Sequence, residues 1–280
     1  MKKRREKFKE VAKEVAKENV DLMSLPLMSI LPGQISFFVI LSIVPLASVP
    51  VMIISKLSLS SDVVTSFILH YIPGGVGSVL LSTLESQKLT SFDLFFIIAA
   101  FYLASKATHS IIVASTRIYN GQQRNFVRTR IKAILMLLIL TFLVLLLVGV
   151  LTVGSKIVEY IASLNPDANA VHLIYSVLKW PFVFFMIFFT IKVIYTIAPN
   201  VSIPSKSVNK GALLTTVVWV ISTFFFSFYV TRLANYTKFY GNLSNLIILM
   251  IWIYWLCYIF VYGMTINEYK LNNKKEEARK

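Results

Sequence analysis

The sequence predicts an all-α, polytopic membrane protein with six transmembrane helices, and three observations predict it. Of the 280 residues, 56% are hydrophobic, above the roughly 45–50% usual for a soluble domain. The excess is gathered into six blocks: Leu27–Lys56, Asp93–Thr116, Ala133–Ile157, His172–Pro199, Gly211–Tyr229 and Leu243–Asn267. A helix needs about 20 apolar residues to cross the hydrocarbon core, and each block meets that length. Lysine and arginine then divide unevenly, 21 on one set of alternate connections against 5 on the other. By the positive-inside rule this split places both termini in the cytoplasm.

The blocks are too long for barrel strands and lack their period-two alternation, so helices are the spanning elements. Residues 1–21 form a segment of their own, 22–269 the membrane domain, and 270–280 a charged cytoplasmic tail. In the first segment Phe8, Val11, Ala12, Val15 and Ala16 follow helical spacing among lysines and glutamates. An amphipathic helix on the inner leaflet fits this pattern. Glu6, Glu10, Glu14 and Glu18 dilute its charge, and a solvated helix fits as well. The charged start and the long apolar block after it do not read as a cleavable signal.

The first block spans about 30 residues and carries Pro32, Pro45 and Pro50. A straight helix of that length reaches roughly 45 Å, beyond the core, so the prolines are expected to kink or break it. Residues 57–92 form the longest outer connection, with Pro73 at a turn. Two short helices, on the surface or re-entrant, are expected there. The glycines after Pro73 follow no strand and precede no Gly-Lys-Ser/Thr, so they are not a phosphate loop. Pro181 is expected to kink the fourth block, and Gly241 to turn the chain before the sixth.

The charge of +15 would suggest nucleic acid in a soluble protein. Here it follows the membrane topology, and no nucleic-acid partner is expected. The single cysteine, Cys257, sits inside an apolar block, and His70, His109 and His172 lie on different elements. Neither a disulfide framework nor a metal site is expected, and no cofactor or catalytic residue set is read.

Ionisable groups at membrane depth are costly and therefore informative. Lys106 falls near the midpoint of the second block, while none of the 13 acidic residues lies at mid-depth in any block. The partners left to it are water, backbone carbonyls or an anionic ligand. Tyr102 and His109 lie one turn before and after it, which makes a polar stripe. It reads either as a cavity wall for an anion or as a lysine satisfied inside the bundle. Gln34 and Ser42 share a face of the first block, and Tyr254, Tyr258, Tyr262 and Thr265 share one of the last. Lining and plain packing are both open for these. Lys179 and Lys192 are close enough to block ends to snorkel.

The chain also carries an ordered series of short motifs. They are Ser42-Ile43-Val44-Pro45, Ile72-Pro73, Ile118-Tyr119-Asn120 and the basic run Phe126-Val127-Arg128-Thr129-Arg130. After Gly211-Ala212 come Asn235-Tyr236, Tyr240-Gly241-Asn242-Leu243, Trp252-Ile253-Tyr254 and Gly263-Met264-Thr265-Ile266-Asn267. In order and spacing these resemble the YihY/BrkB family of bacterial inner-membrane proteins, over roughly residues 20–270. The resemblance implies a bacterial cytoplasmic membrane location and adds Asn267 to the candidate cavity residues. It also implies a transporter-like or virulence-associated role without an agreed substrate. The family's last block commonly reads Gly-Ala-Glu where this chain has Gly263-Met264-Thr265, so a carboxylate at that position is not available here. A ribonuclease label carried by some members finds no metal-ligand cluster in this sequence.

Three functions follow as expectations. The first is a permease of an anionic or amphiphilic solute, which includes lipid-like ones, with the bilayer itself as the constant partner. The second is a non-transporting scaffold or envelope-assembly factor. The third, an intramembrane enzyme, lacks any paired catalytic geometry. Composition says nothing of the oligomeric state.

Overall fold

The computed structural model describes residues 20–56, 91–122, 125–164, 168–232 and 244–277. Six long helices appear among them, one for each apolar block. They are α1 (Pro26–Lys56), α2 (Ser91–Ile118), α3 (Phe126–Leu164), α4 (Ala168–Ile197), α5 (Asn209–Arg232) and α6 (Ser244–Glu277). No strand occurs among the described residues. The expected N-terminal amphipathic helix, the outer segment with Pro73, and Gly241 lie outside the described residues.

Phe126–Leu164, Leu173–Ile197, Asn209–Tyr229 and Ile247–Asn273 are each long and apolar enough to cross a membrane, and Pro26–Ser42 is a shorter apolar helix. Their outer surfaces agree with a lipid solvent. Phe142, Trp180, Leu178 and Phe224 are each more than 60% exposed, and continuous apolar surface of that kind is not tolerated in water.

Each helix packs on the next in sequence, and α6 returns to pack on α1 and to touch α2. The core runs through the middle of this ring, with Leu31, Ile35, Ile112, Met136, Ile191, Tyr195, Val261 and Met264 all buried. Pro26 opens α1 at the first helical position, where its missing N–H costs nothing. The helix then continues without interruption through Pro32, Pro45 and Pro50. Of the expected kink or break, a break is therefore absent, as neighbouring helices can re-satisfy the carbonyls a proline frees. Pro181 likewise lies within an unbroken α4.

At one end of the bundle the described residues are tied together by hydrogen bonds. α2 stops at a turn where Asn120 takes φ 50°, a left-handed conformation that Asn tolerates better than most residues. The Gly121 N–H then closes the end by donating to Thr116 O at 2.8 Å. A Cβ on Gly121 would crowd Val201 of the α4–α5 connection, so the turn and that connection are packed together. Lys132 of α3 donates from Nζ to Ala198 O and Pro199 O, both at 2.7 Å, and to Asn200 Oδ1 at 3.0 Å. A cation is thus placed on the carbonyls that end α4, where the helix dipole favours it. The connections 117–132 and 198–210 and the end of α6 meet here, which gathers three of the basic segments at one end.

Candidate functional site

The Lys106 stripe is the least buried face of α2. Ala104, Ser105, Ala107, Thr108, Ile111, Ile112, Ser115 and Thr116 are buried, whereas Tyr102 is 53% exposed and Lys106, His109 and Val113 are half-buried. The buried face docks α3 directly. Thr108 Oγ1 donates to Ala133 O at 2.8 Å and also to Ser105 O in its own helix. This contact sets the first turns of α3 beside the middle of α2.

Two cations consequently reach one ring. Lys106 Nζ lies 5.3 Å from the Tyr102 ring centroid, and Arg130 Cζ lies 4.5 Å from it. The two charges are therefore no more than about 10 Å apart. Arg130 also sits 6.0 Å from the Phe126 centroid, and it is within electrostatic range of His109. Phe126 is 70% exposed, so the surface groove along which α2 and α3 meet is open beside Arg130.

Thr108 docks at Ala133 O, so Lys106 lies beside the first turns of α3, which begins at Phe126. A cation–π contact contributes about 0.5–2 kcal/mol, and two cations share this ring. Repulsion between them at ~10 Å opposes this by roughly 1–2 kcal/mol at an effective dielectric of 20.

The other sequence candidates are placed elsewhere, and none of their described contacts is with Tyr102, Lys106 or His109. Gln34 is half-buried on α1. Ser42 is buried and donates to Val39 O at 2.8 Å within its own helix. Thr265 donates to Val261 O at 3.1 Å and approaches Met28 Sδ at 3.8 Å. Tyr258 stacks on Trp255 with centroids 6.0 Å apart, and Tyr254 is 41% exposed.

Asn267 joins α6 to the first turn of α5. Its Oδ1 accepts the Gly211 N–H at 2.8 Å, and its Nδ2 donates to Val208 O at 3.2 Å. Just beyond α2 and packed against this junction, Tyr119 is half-buried. That burial, together with the charge of Glu268, holds its phenol above the usual range. Deeper in the bundle Tyr195 OH donates to Phe260 O at 2.6 Å and shares a 2.8 Å bond with Thr215 Oγ1. The indole N–H of Trp219 donates to Leu256 O at 2.9 Å. These bonds hold α4, α5 and α6 together.

Sequence reasoning missed Arg130, because the third block was read from Ala133 and Arg130 was counted with the preceding loop. Helix α3 starts at Phe126. The available signal was spacing: Phe126, Arg130 and Ala133 fall on one helical stripe. Among the described residues no group of three or more His, Cys, Asp or Glu could hold a metal.

Long apolar helices, lipid-type outer surfaces and a basic end define a multi-pass α-helical membrane protein. The chain matches the family described as virulence factor BrkB over residues 28–280 and belongs to it. It is similar to the ribonuclease-like protein YfkH of Bacillus subtilis (strain 168), at 28% identity, over 87% of this chain and 90% of that protein. It is also similar to the UPF0761 membrane protein VV0203 of Vibrio vulnificus (strain YJ016), at 26% identity over 82% of this chain and 73% of the relative. A UPF0761 membrane protein of Vibrio atlanticus (strain LGP32) matches with the same identity and coverage. No solved structure matches the chain significantly.

Proposed function

We propose that this chain is a permease for an anionic or amphiphilic solute in a bacterial cytoplasmic membrane, crossing six times with both termini in the cytoplasm. One observation carries the reading: Lys106 and Arg130, cations from two helices, share the Tyr102 ring, and an anion between them would relieve their repulsion. The absence of any acid at mid-depth in the sequence blocks points the same way, since no internal carboxylate is available to neutralise the pair. It also argues against a proton relay through a buried carboxylate, so movement would be passive or coupled to another ion.

The test is solute uptake and lipid scrambling by purified protein in liposomes, with Lys106→Ala beside wild type. Loss of activity by about tenfold or more is expected, equivalent to about 1.4 kcal/mol. Equal activity in the two would sink the role given to Lys106.

A second reading, a non-transporting scaffold for envelope assembly, is favoured by a different observation. The polar candidates Thr265 and Asn267 are engaged in bonds inside the protein, which leaves them little capacity for a solute. A stoichiometric partner recovered by crosslinking, with liposome activity absent, would select this reading.

A further inference from the structure

Arg130 changes what the Lys106 stripe can hold. A lysine alone is a point charge, whereas a guanidinium presents a planar fork of donors suited to two oxygens of one phosphate. The two come from different helices, α2 and α3, and stand within about 10 Å of each other across a single tyrosine. We propose that the groove between α2 and α3 binds the phosphate of an anionic membrane lipid, with Lys106 and Arg130 as donors and Tyr102 as the wall they share. The assignment rests on the anion reading above and adds to it the ligand class and the second donor.

Three features select a lipid over a soluble anion. Tyr102 of α2 and Phe126 of α3, which flank Arg130, are 53% and 70% exposed, on the outer flank of the α2–α3 contact. In a bilayer that side faces acyl chains, so a ligand arrives laterally and brings its own apolar tails. Exposed Ile131, Ile134 and Leu138 continue the surface along α3, which offers those tails apolar contact. Finally, the α2 stripe runs on through Val113 to Arg117, which is exposed at the basic end. Arg117 at that end, and Arg130 and Lys106 at the Tyr102 ring, are the cations a phosphodiester entering the groove would meet. His109 lies on the same stripe and can donate one further hydrogen bond.

Binding is tested on the full-length protein in detergent by native mass spectrometry against an equimolar mixture of phosphatidylglycerol and phosphatidylcholine. Wild type is expected to retain phosphatidylglycerol over phosphatidylcholine by about tenfold or more. Lys106→Gln combined with Arg130→Gln should bring the two lipids to parity, while Arg128→Gln, an exposed cation in the same turn of α3, should keep the wild-type preference. Equal retention of both lipids by wild type, or an undiminished preference in the double variant, would overturn the assignment. So would displacement of phosphatidylglycerol by excess inorganic phosphate, which would give the groove to a soluble anion. The wild-type competition needs no substitution, so it decides the matter even where the double variant does not fold. Selective binding without lipid movement in liposomes would support the site and remove the permease reading. Movement without selective binding would do the reverse.

Discussion

Asn267 accepts the Gly211 N–H at 2.8 Å across 56 residues of sequence, while its amide nitrogen donates to Val208 O. One side chain of α6 thereby satisfies a donor and an acceptor at the start of α5. Both backbone groups are buried, so no water stands ready to replace it. Asn267→Leu should therefore destabilise the protein by about 2–4 kcal/mol, the cost of leaving two buried polar groups unpaired. The check is the thermal midpoint in detergent. Asn267→Gln, which keeps the amide but moves it by a methylene, should lose nearly as much. A midpoint unchanged in both variants would show that the junction does not hold α5.

Gly263 lies at the closest approach of α5 and α6. A Cβ there would collide with Thr215 Oγ1 and the Tyr195 hydroxyl, and one on Gly211 would collide with the Gly263 carbonyl. Gly263→Ala should cost about 1–3 kcal/mol through overpacking, despite the better helix propensity of alanine. The same substitution at Gly149, which has nothing within 4 Å of its Cβ position, should be neutral or slightly stabilising. Adding Thr215→Ala to Gly263→Ala should recover part of the loss. Thermal midpoints of the four proteins, with the expected order, separate crowding from propensity.

The six helices were legible in the sequence because apolar length is a local property. Each block became one helix, and most ends moved outward because polar and charged residues can continue a helix without adding to its apolar length. The third element shows the effect most clearly: the block starts at Ala133, the helix at Phe126. That shift brought Arg130 out of a loop and onto Tyr102. The Tyr102–Lys106–His109 stripe was legible from its spacing, but its partner was not, because spacing along one helix says nothing about what a second helix brings. The Asn267–Gly211 junction was illegible for the same reason. The first block was expected to kink or break at its prolines, and α1 runs through them without a break, flanked by α2 and α6. Proline rules describe an isolated helix, and packing can supply partners that the rule leaves out.

Lys132 makes three hydrogen bonds to the end of α4 and its following turn, to Ala198 O, Pro199 O and Asn200 Oδ1. It was grouped with the basic loop by sequence, but its ammonium acts as a cap between α3 and α4. Lys132→Met keeps the stem and removes the donors, and should cost about 1.5–3 kcal/mol, the range for a charge-assisted hydrogen bond. Lys132→Arg should recover less than half of that, because a planar fork does not reproduce three donors arranged around one nitrogen. Denaturation midpoints of the two variants give the comparison, and equal midpoints for Met and wild type would remove the cap.

Helix α3 offers a direct measure of sidedness. It is 39 residues long, so its ends are ~58 Å apart, well beyond a hydrocarbon core of ~30 Å. Arg128 near one end and Ser163 near the other are both exposed. The native cysteine, Cys257, is buried, so its background reaction with a bulky membrane-impermeant maleimide should be slow. With both termini in the cytoplasm, Ser163→Cys should be labelled on spheroplasts and Arg128→Cys only after permeabilisation. The opposite pattern would invert the topology, turning the basic end with Lys132, Asn267 and the Arg117 stripe to the outside. It would also move the mouth of the α2–α3 groove to the other leaflet. Labelling of both positions from one side would mean that α3 does not cross at all, whatever its length.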